Sequence, residues 1–237
     1  SNLGQKKKLL DALIESSHSF KDFTIYTSCE ATGLQAEYIR FGLVWDVWLK
    51  NMYRVNEEAN VKSVNVMMTI NSLCLFSITE FMDEMLKLKK KFGYQAAVMS
   101  FNILRFPSFQ SIVTLPEEIR LERAAAMEAW LEKNWNGGRN GFIDIERDGL
   151  LRLIEYTKSV QKGHEFTSSL DSRLRDFRSF YLQYDQRRGK DFYAAFPRLK
   201  EWFDSIPDTN LKALTKLVDG DDAKSNRYVD GVLKQAK

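Results

Sequence analysis

The sequence predicts a mixed α/β fold, and two observations carry that expectation. Up to Phe101, helical and strand periodicities alternate in the order α-β-α-β-α-β. Strands separated by helices pair in parallel through right-handed crossovers. After Phe101 the strand signals stop and helical patterns follow. The expectation is a partial parallel (β/α) barrel fragment over residues 1–115, followed by a mainly helical C-terminal region over 116–237. Three strands with none ahead of the first helix make an incomplete sheet or half a barrel. The opening "SNLGQKKKLL", without Met, adds the expectation of a fragment.

The elements follow in order. Leu9, Leu10, Leu13 and Ile14 recur at helical spacing opposite Lys6, Lys7 and Lys8, predicting a helix over 4–17. Phe23, Ile25 and Thr27 alternate with Thr24, Tyr26 and Ser28, as in a half-buried strand. Val44, Val47, Trp48, Met52 and Val55 form one stripe of an amphipathic helix. The β-branched, Met-rich run 61–70 reads as a second strand. Ser77 and Glu80 have the spacing of a capping box, and Ile78, Phe81, Met82, Met85 and Leu86 continue as a helical stripe. The lysines within 87–91 place positive charge where the helix dipole favours it, and Gly93 ends the helix. A third strand is predicted over 94–101. Pro107 and Pro116 break the chain. Pro116, Glu117 and Glu118 then start an Ala-rich helix reaching Lys133. "NWNGGRNG" is a loop. Helices over 146–161 and 166–184 precede shorter turns around Phe192, Trp202 and Leu211, and a polar tail from Asp219.

Composition bounds the function. Apolar residues make up 44% and charged residues 28%, the balance of a globular chain. Thirty-five basic against 32 acidic side chains give a net charge of +3, too balanced to argue for nucleic acid or a membrane surface. No apolar run is long enough to span a bilayer, and no secretory signal is recognisable. With only Cys29 and Cys74, this fits a reducing cytoplasm. Two thiols are too few for a zinc site or an iron–sulfur cluster of their own. Each follows a predicted strand end, where a small thiol packs well.

The stretch "TIYTSCEATGLQAEYIRFGLVWD" joins a predicted strand to a helix. Ligands of parallel α/β sheets bind beyond the carboxyl ends of the strands. Ser28, Glu30 and Thr32 offer hydroxyl and carboxylate groups there, Gly33 permits a tight turn, and Arg40 is a planar fork suited to a carboxylate. The competing reading is a polar turn in which Arg40 pairs with Glu37 on the surface.

The same stretch resembles a segment of radical S-adenosylmethionine (SAM) proteins that commonly reads Ser-x-Asp-Gly-x-Gly-x-x-Ala-Glu-Tyr-Ile-Arg-x-Gly, and more narrowly their twitch-domain subgroup. The matches are Ser28, Gly33, Ala36, Glu37, Tyr38, Ile39, Arg40, Gly42, Trp45 and Asn51. "VMMTINSLCLFSITEFMDEML" and "YDQRRGKDFYAAFPRLKEWF" are similar to later parts of that subgroup, so the resemblance covers about residues 2–203. It implies a partial (β/α)6 barrel that binds SAM and a [4Fe-4S] cluster, generating a 5′-deoxyadenosyl radical. Ser28 and Glu30 would hydrogen-bond polar SAM atoms, Arg40 would pair with the SAM carboxylate, and Asn71 would contact SAM or substrate. For Asn71 a turn-forming role fits equally.

The departures are specific. The family's Cys-x3-Cys-x2-Cys is absent, Glu30 and Ala31 stand where Asp-Gly is common, and no C-terminal cysteines could hold an auxiliary cluster. The chain therefore reads as the SAM-binding part of an enzyme, inactive without a missing cluster-binding half or a complementary chain. Its substrate class stays open. The alternatives are a non-catalytic binding module that keeps the barrel remnant and, more remotely, a nucleic-acid-binding helical protein.

Other motifs resolve to structure. "DIERDGLLRLIE" approximates a calcium loop with Glu146 at its third position, but Leu150, Leu151, Leu153 and Ile154 fit a helix better. "GGRNG" lacks the Gly-Lys-Ser/Thr of a phosphate loop. His18 and His164 stand alone, as surface residues. Over 173–198, arginines interleave with aromatics, a pattern compatible with single-stranded nucleic acid. Nearby aspartates and the helical spacing of the aromatics favour core packing instead, with a substrate-facing role left open.

Overall fold

The computed structural model describes residues 3, 7–159 and 168–207. It is a mixed α/β structure around a three-stranded, wholly parallel sheet in the order β1-β2-β3. The elements are α1 (Lys7–Ser17), β1 (Thr24–Ser28), α2 (Gly33–Ile39), α3 (Trp45–Glu58), β2 (Ser63–Ile70), α4 (Ile78–Phe92), β3 (Val98–Ile103), α5 (Glu117–Asn134), α6 (Asp144–Lys158), α7 (Leu170–Arg188), α8 (Phe192–Ala195) and α9 (Lys200–Ser205). Registers are Thr24 opposite Ser63 and Asn65 opposite Val98.

The period-2 pattern of the strands decides which face is buried. Ile25 and Thr27 of β1, Val64, Val66, Met68 and Ile70 of β2, and Met99 and Phe101 of β3 all point into the core. α3 and α4 supply Trp48, Met52, Val55, Phe81, Met82 and Met85 to the same cluster. Each such large apolar side chain contributes roughly 1.5–3 kcal/mol on burial. Thr27, polar on the buried face, is satisfied by the Trp48 indole N–H at 3.0 Å. The opposite face carries Tyr26, 56% exposed, and Met67, 37% exposed, with Ser28, Asn65, Thr69, Ser100 and Asn102.

The two edges of the sheet differ. No strand pairs with the outer edge of β1 among the described residues. The outer edge of β3 is closed by α6: the Met99 N–H donates to Glu146 Oε1 at 2.7 Å. A Cβ added at Gly149 would meet Phe101 Cδ2 at 3.0 Å. Glu146 is wholly buried and also accepts the Ile143 N–H at 2.9 Å and the Lys89 ammonium at 2.5 and 2.6 Å. Lys89 completes its set with the Gly141 carbonyl at 2.9 Å. One carboxylate thus ties α4, β3 and the start of α6.

The helical region packs onto the α/β part through aromatics. Tyr38, 1% exposed, lies among Tyr181, Tyr184, Phe192 and Phe196. Its hydroxyl donates to Asp185 Oδ1 at 2.7 Å, and its carbonyl accepts from the Tyr184 hydroxyl at 2.8 Å. The buried hydrophobic cluster runs continuously from Leu3 to Ile206. Two arginines cap helix ends: Arg120 Nη1 donates to the Thr157 and Ser159 carbonyls behind α6, and Arg178 Nη1 to those of Phe203, Asp204 and Ile206 behind α9.

Several expectations shift. β3 begins at Val98, because Tyr94–Ala97 first forms a 3-10 turn behind Gly93, whose φ of +96° is left-handed. Leu9, Val44 and Val47 are exposed, and Trp45 and Asn51 take the inward positions of α3 instead. Ser77 and Glu80 form no capping box. The Ser77 hydroxyl accepts the Thr32 N–H at 3.1 Å, which ties the loop after β1 to the start of α4. Lys89 is not a solvated terminal charge but a buried one. Asp144–Lys158 is continuous helix, so the calcium-like segment is no loop. Phe177, Tyr181 and Phe192 are core, as the spacing within 173–198 predicts. His18 is exposed, with Nε2 3.1 Å from the Glu58 carbonyl. Residues 4–6, the chain beyond Ser159 predicted to continue α6, Phe166, His164, Leu211 and the tail from Asp219 lie outside the described residues.

Candidate functional site

The carboxyl ends of β1 and β2 gather the sequence-predicted site residues. β1 ends at Ser28, which is half-buried on the sheet face opposite the core, directly opposite Met67 of β2. The chain then turns inward. Cys29, Glu30 and Ala31 are all buried before Gly33, at φ +51°, opens α2. A Cβ at Gly33 would meet nothing within 4 Å, so its requirement is the left-handed backbone itself.

Glu30 is 2% exposed and points at Arg40. Arg40 donates from Nε at 3.0 Å and Nη2 at 2.5 Å, both to Glu30 Oε2. The Thr69 N–H lies 3.5 Å from the same oxygen. Burial pushes the Glu30 carboxyl above its ordinary value, partly offset by Arg40. The Arg40 side chain keeps 28% of its surface exposed. A guanidinium has five N–H donors, so this pair leaves part of the fork for another acceptor. The Glu37 pairing considered for Arg40 does not occur. Glu37 Oε1 accepts the Trp45 N–H at 3.0 Å and so caps α3.

Asn71 follows β2 and is buried. Its Oδ1 accepts the N–H groups of Leu73 at 2.9 Å and Cys74 at 3.2 Å, capping the 3-10 turn Ser72–Phe76. This is the turn-forming role. The face opposite the core carries internally organised polar groups beside Tyr26 and Met67: Asn102 Nδ2 donates to the Met68 carbonyl at 3.0 Å and to Ser100 Oγ at 3.1 Å.

Both cysteines are fully buried. Burial pushes the Cys29 thiol up to about 12 and raises Cys74 well above its ordinary value. Cys74 Sγ donates to Asn71 Oδ1 at 3.2 Å. Neutral, enclosed thiols are packing residues, and this donor set does not fit an iron–sulfur cluster. Among the described residues no three His, Cys, Asp or Glu side chains converge as a metal site.

On the same side of the sheet, α7 packs against the 3-10 turn Ser108–Gln110 that follows β3. A cavity of about 460 Å³ opens there, lined by Phe109, Phe180, Tyr184, Asp176, Arg187 and Arg188. Arg188 stacks over the Phe41 ring, 4.3 Å from its centroid and one residue beyond Arg40. Sequence reasoning leaves a substrate-facing role open for 173–198 but does not place this cavity, because the helical spacing of Phe177 and Tyr181 signals only the core side of α7. It also missed the Glu30–Arg40 pair, whose ten-residue separation matches no helical spacing.

Among the described helices none is long and apolar enough to cross a membrane. Comparison with protein-family models, with curated proteins and with solved structures found no match.

Proposed function

We propose that the chain supplies the SAM-facing part of a radical SAM barrel. The observation that carries this reading is the strand-end cluster, in which a buried Glu30 holds Arg40 at the carboxyl end of a parallel sheet with Ser28 on the sheet face opposite the core. In this reading Arg40 offers its remaining N–H donors to the SAM carboxylate, a charge-assisted pairing strengthened by partial burial. Ser28 offers a hydroxyl to a polar SAM atom. Glu30 acts by orienting Arg40 through Oε2, and Asn71 acts by shaping the loop after β2.

The edge asymmetry supports the same reading. An incomplete barrel has one edge that receives its missing strands and one that ends the fold. Among the described residues no strand pairs with the outer edge of β1, whereas β3 is met on its outer edge by Glu146 of α6. Open parallel sheets are normally covered on both faces, so a complementary half or chain is expected on the Tyr26–Met67 face. The [4Fe-4S] cluster supplies the electron for radical chemistry and would come from that half, because Cys29 and Cys74 cannot hold it.

Hydrogen exchange with and without SAM tests the location. Protection should concentrate in 27–41 and 67–72. SAM-dependent protection elsewhere, with none in these segments, would sink the assignment.

A further inference from the structure

A second cleft lies at the other end of the sheet. The strands are parallel, so the residues that precede β3 sit opposite the end where Ser28 lies. The cleft encloses about 900 Å³, within the range of small-molecule sites, between the last turn of α4 and the loop after α5. Lys90, Lys133 and Arg139 line it, each exposed and none with a carboxylate partner among the described residues. Tyr94 lines it too, 49% exposed.

The structural explanation for these cations is dipole compensation, because α4 and α5 both end here. Each helix end amounts to about half a negative charge. Three of the terminal carbonyls are also occupied: Lys89 O by the Gly93 N–H at 2.8 Å, Leu131 O by the Trp135 N–H at 2.8 Å, and Asn134 O by Asn140 Nδ2 at 2.8 Å. Asp83, the acid lining the cleft, accepts the Trp130 indole N–H at 2.7 Å. Lys87 is matched by Glu84. Among the described residues, three cations without a carboxylate partner therefore exceed what Asp83 and two half-charges neutralise, and the cleft is positive.

The wall is also built rather than fortuitous. Lys89 pins the Gly141 carbonyl, and Asn140 accepts the Phe142 N–H at 3.1 Å. A Cβ at Gly141 would come within 3.1 Å of Lys89 Cβ and 3.4 Å of Tyr94 Cα, so the loop lies directly on the chain at Tyr94. Cations held beside an exposed aromatic ring match a ligand with phosphates and a flat base.

We propose that this cleft binds a nucleoside polyphosphate, with Lys90, Lys133 and Arg139 facing the phosphates and Tyr94 stacking on the base. Calorimetric titration of the whole chain with ATP, inorganic tripolyphosphate and adenosine tests it. ATP should bind more tightly than tripolyphosphate, and adenosine weakly. Lys133→Gln/Arg139→Gln should weaken ATP at least tenfold, while Tyr94→Ala should weaken ATP and leave tripolyphosphate unchanged. Circular dichroism and melting of each variant check the fold. Arg40→Gln should leave ATP binding unchanged, which separates this cleft from the strand-end site. Equal affinity for ATP and tripolyphosphate would overturn the nucleoside assignment. Absence of ATP binding, or ATP binding lost with Arg40→Gln but kept in Lys133→Gln/Arg139→Gln, would overturn the proposal entirely.

Discussion

Arg40 reaches Glu30 with two nitrogens on one carboxylate oxygen, at 3.0 and 2.5 Å, and buries that carboxylate beneath the end of β1. The pairing joins residues on either side of α2, so it fixes how the loop after β1 folds back.

The pair carries a pH signature. Burial outweighs Arg40 and holds the Glu30 carboxyl above 4.5. The folded chain therefore keeps this proton to higher pH than the unfolded chain does. Between that ordinary value and the raised folded one, the native state binds more protons, and the Glu30 contribution to stability falls as pH rises. The melting temperature of the wild type relative to Glu30→Gln should fall as pH climbs from about 4.5 towards neutrality. A relative rise would show that Arg40 dominates instead.

Removing Lys89 should be far more damaging than removing a surface lysine. Lys89→Met leaves Glu146 buried without its cation, and breaking one partner of such a pair costs about 3–5 kcal/mol. Lys87→Met, at an exposed and solvent-screened pair, should leave stability nearly unchanged. Urea denaturation of both variants measures the contrast. A loss below about 1 kcal/mol for Lys89→Met would mean that the Met99 and Ile143 amides alone hold Glu146.

Gly149 is required by close approach and not by backbone conformation. Gly149→Ala should cost about 1–3 kcal/mol by forcing α6 away from Phe101. Crystallography of the variant would register the displacement of α6 from β3. An unchanged stability would show that the Phe101 ring yields freely.

The thiols should be silent. With Cys29 pushed up to about 12, its thiolate at pH 8 is roughly a thousandfold scarcer than in an ordinary cysteine. Neither Cys29 nor Cys74 should react with a thiol reagent until the chain is unfolded, and both should then react together. Fast labelling of either in the native state would contradict the burial described above.

The strand and helix order was legible because periodicity reports which face of an element is wet, and that is a local property. Ile25, Thr27 and Tyr26 follow it faithfully. Val44 and Val47 do not: they continue an apolar stripe, but Trp45 and Trp48, stacked at 5.6 Å, fill the space facing β1. Ser77 was misjudged for a related reason, since Thr32, 45 residues away, competes for its hydroxyl. Glu146 reads as the start of a helix in a segment that only approximates a calcium loop, and Lys89 as a dipole partner. Neither position reveals that the other lies across a chain separation of 57 residues. Long-range pairing of charges leaves no spacing to read. The polarity of the strand-end site was visible at Ser28, Glu30 and Arg40, but the division of labour among them was not, because it depends on which carboxylate Arg40 finds.

The most direct test of the strand-end site is calorimetric titration of the chain with SAM, compared with Arg40→Gln. The wild type should bind SAM saturably at one site. A charge-assisted hydrogen bond contributes about 1.5–3 kcal/mol, so the variant should bind roughly ten- to a hundredfold more weakly. No saturable binding by the wild type, or equal affinity in the folded variant, would contradict the account.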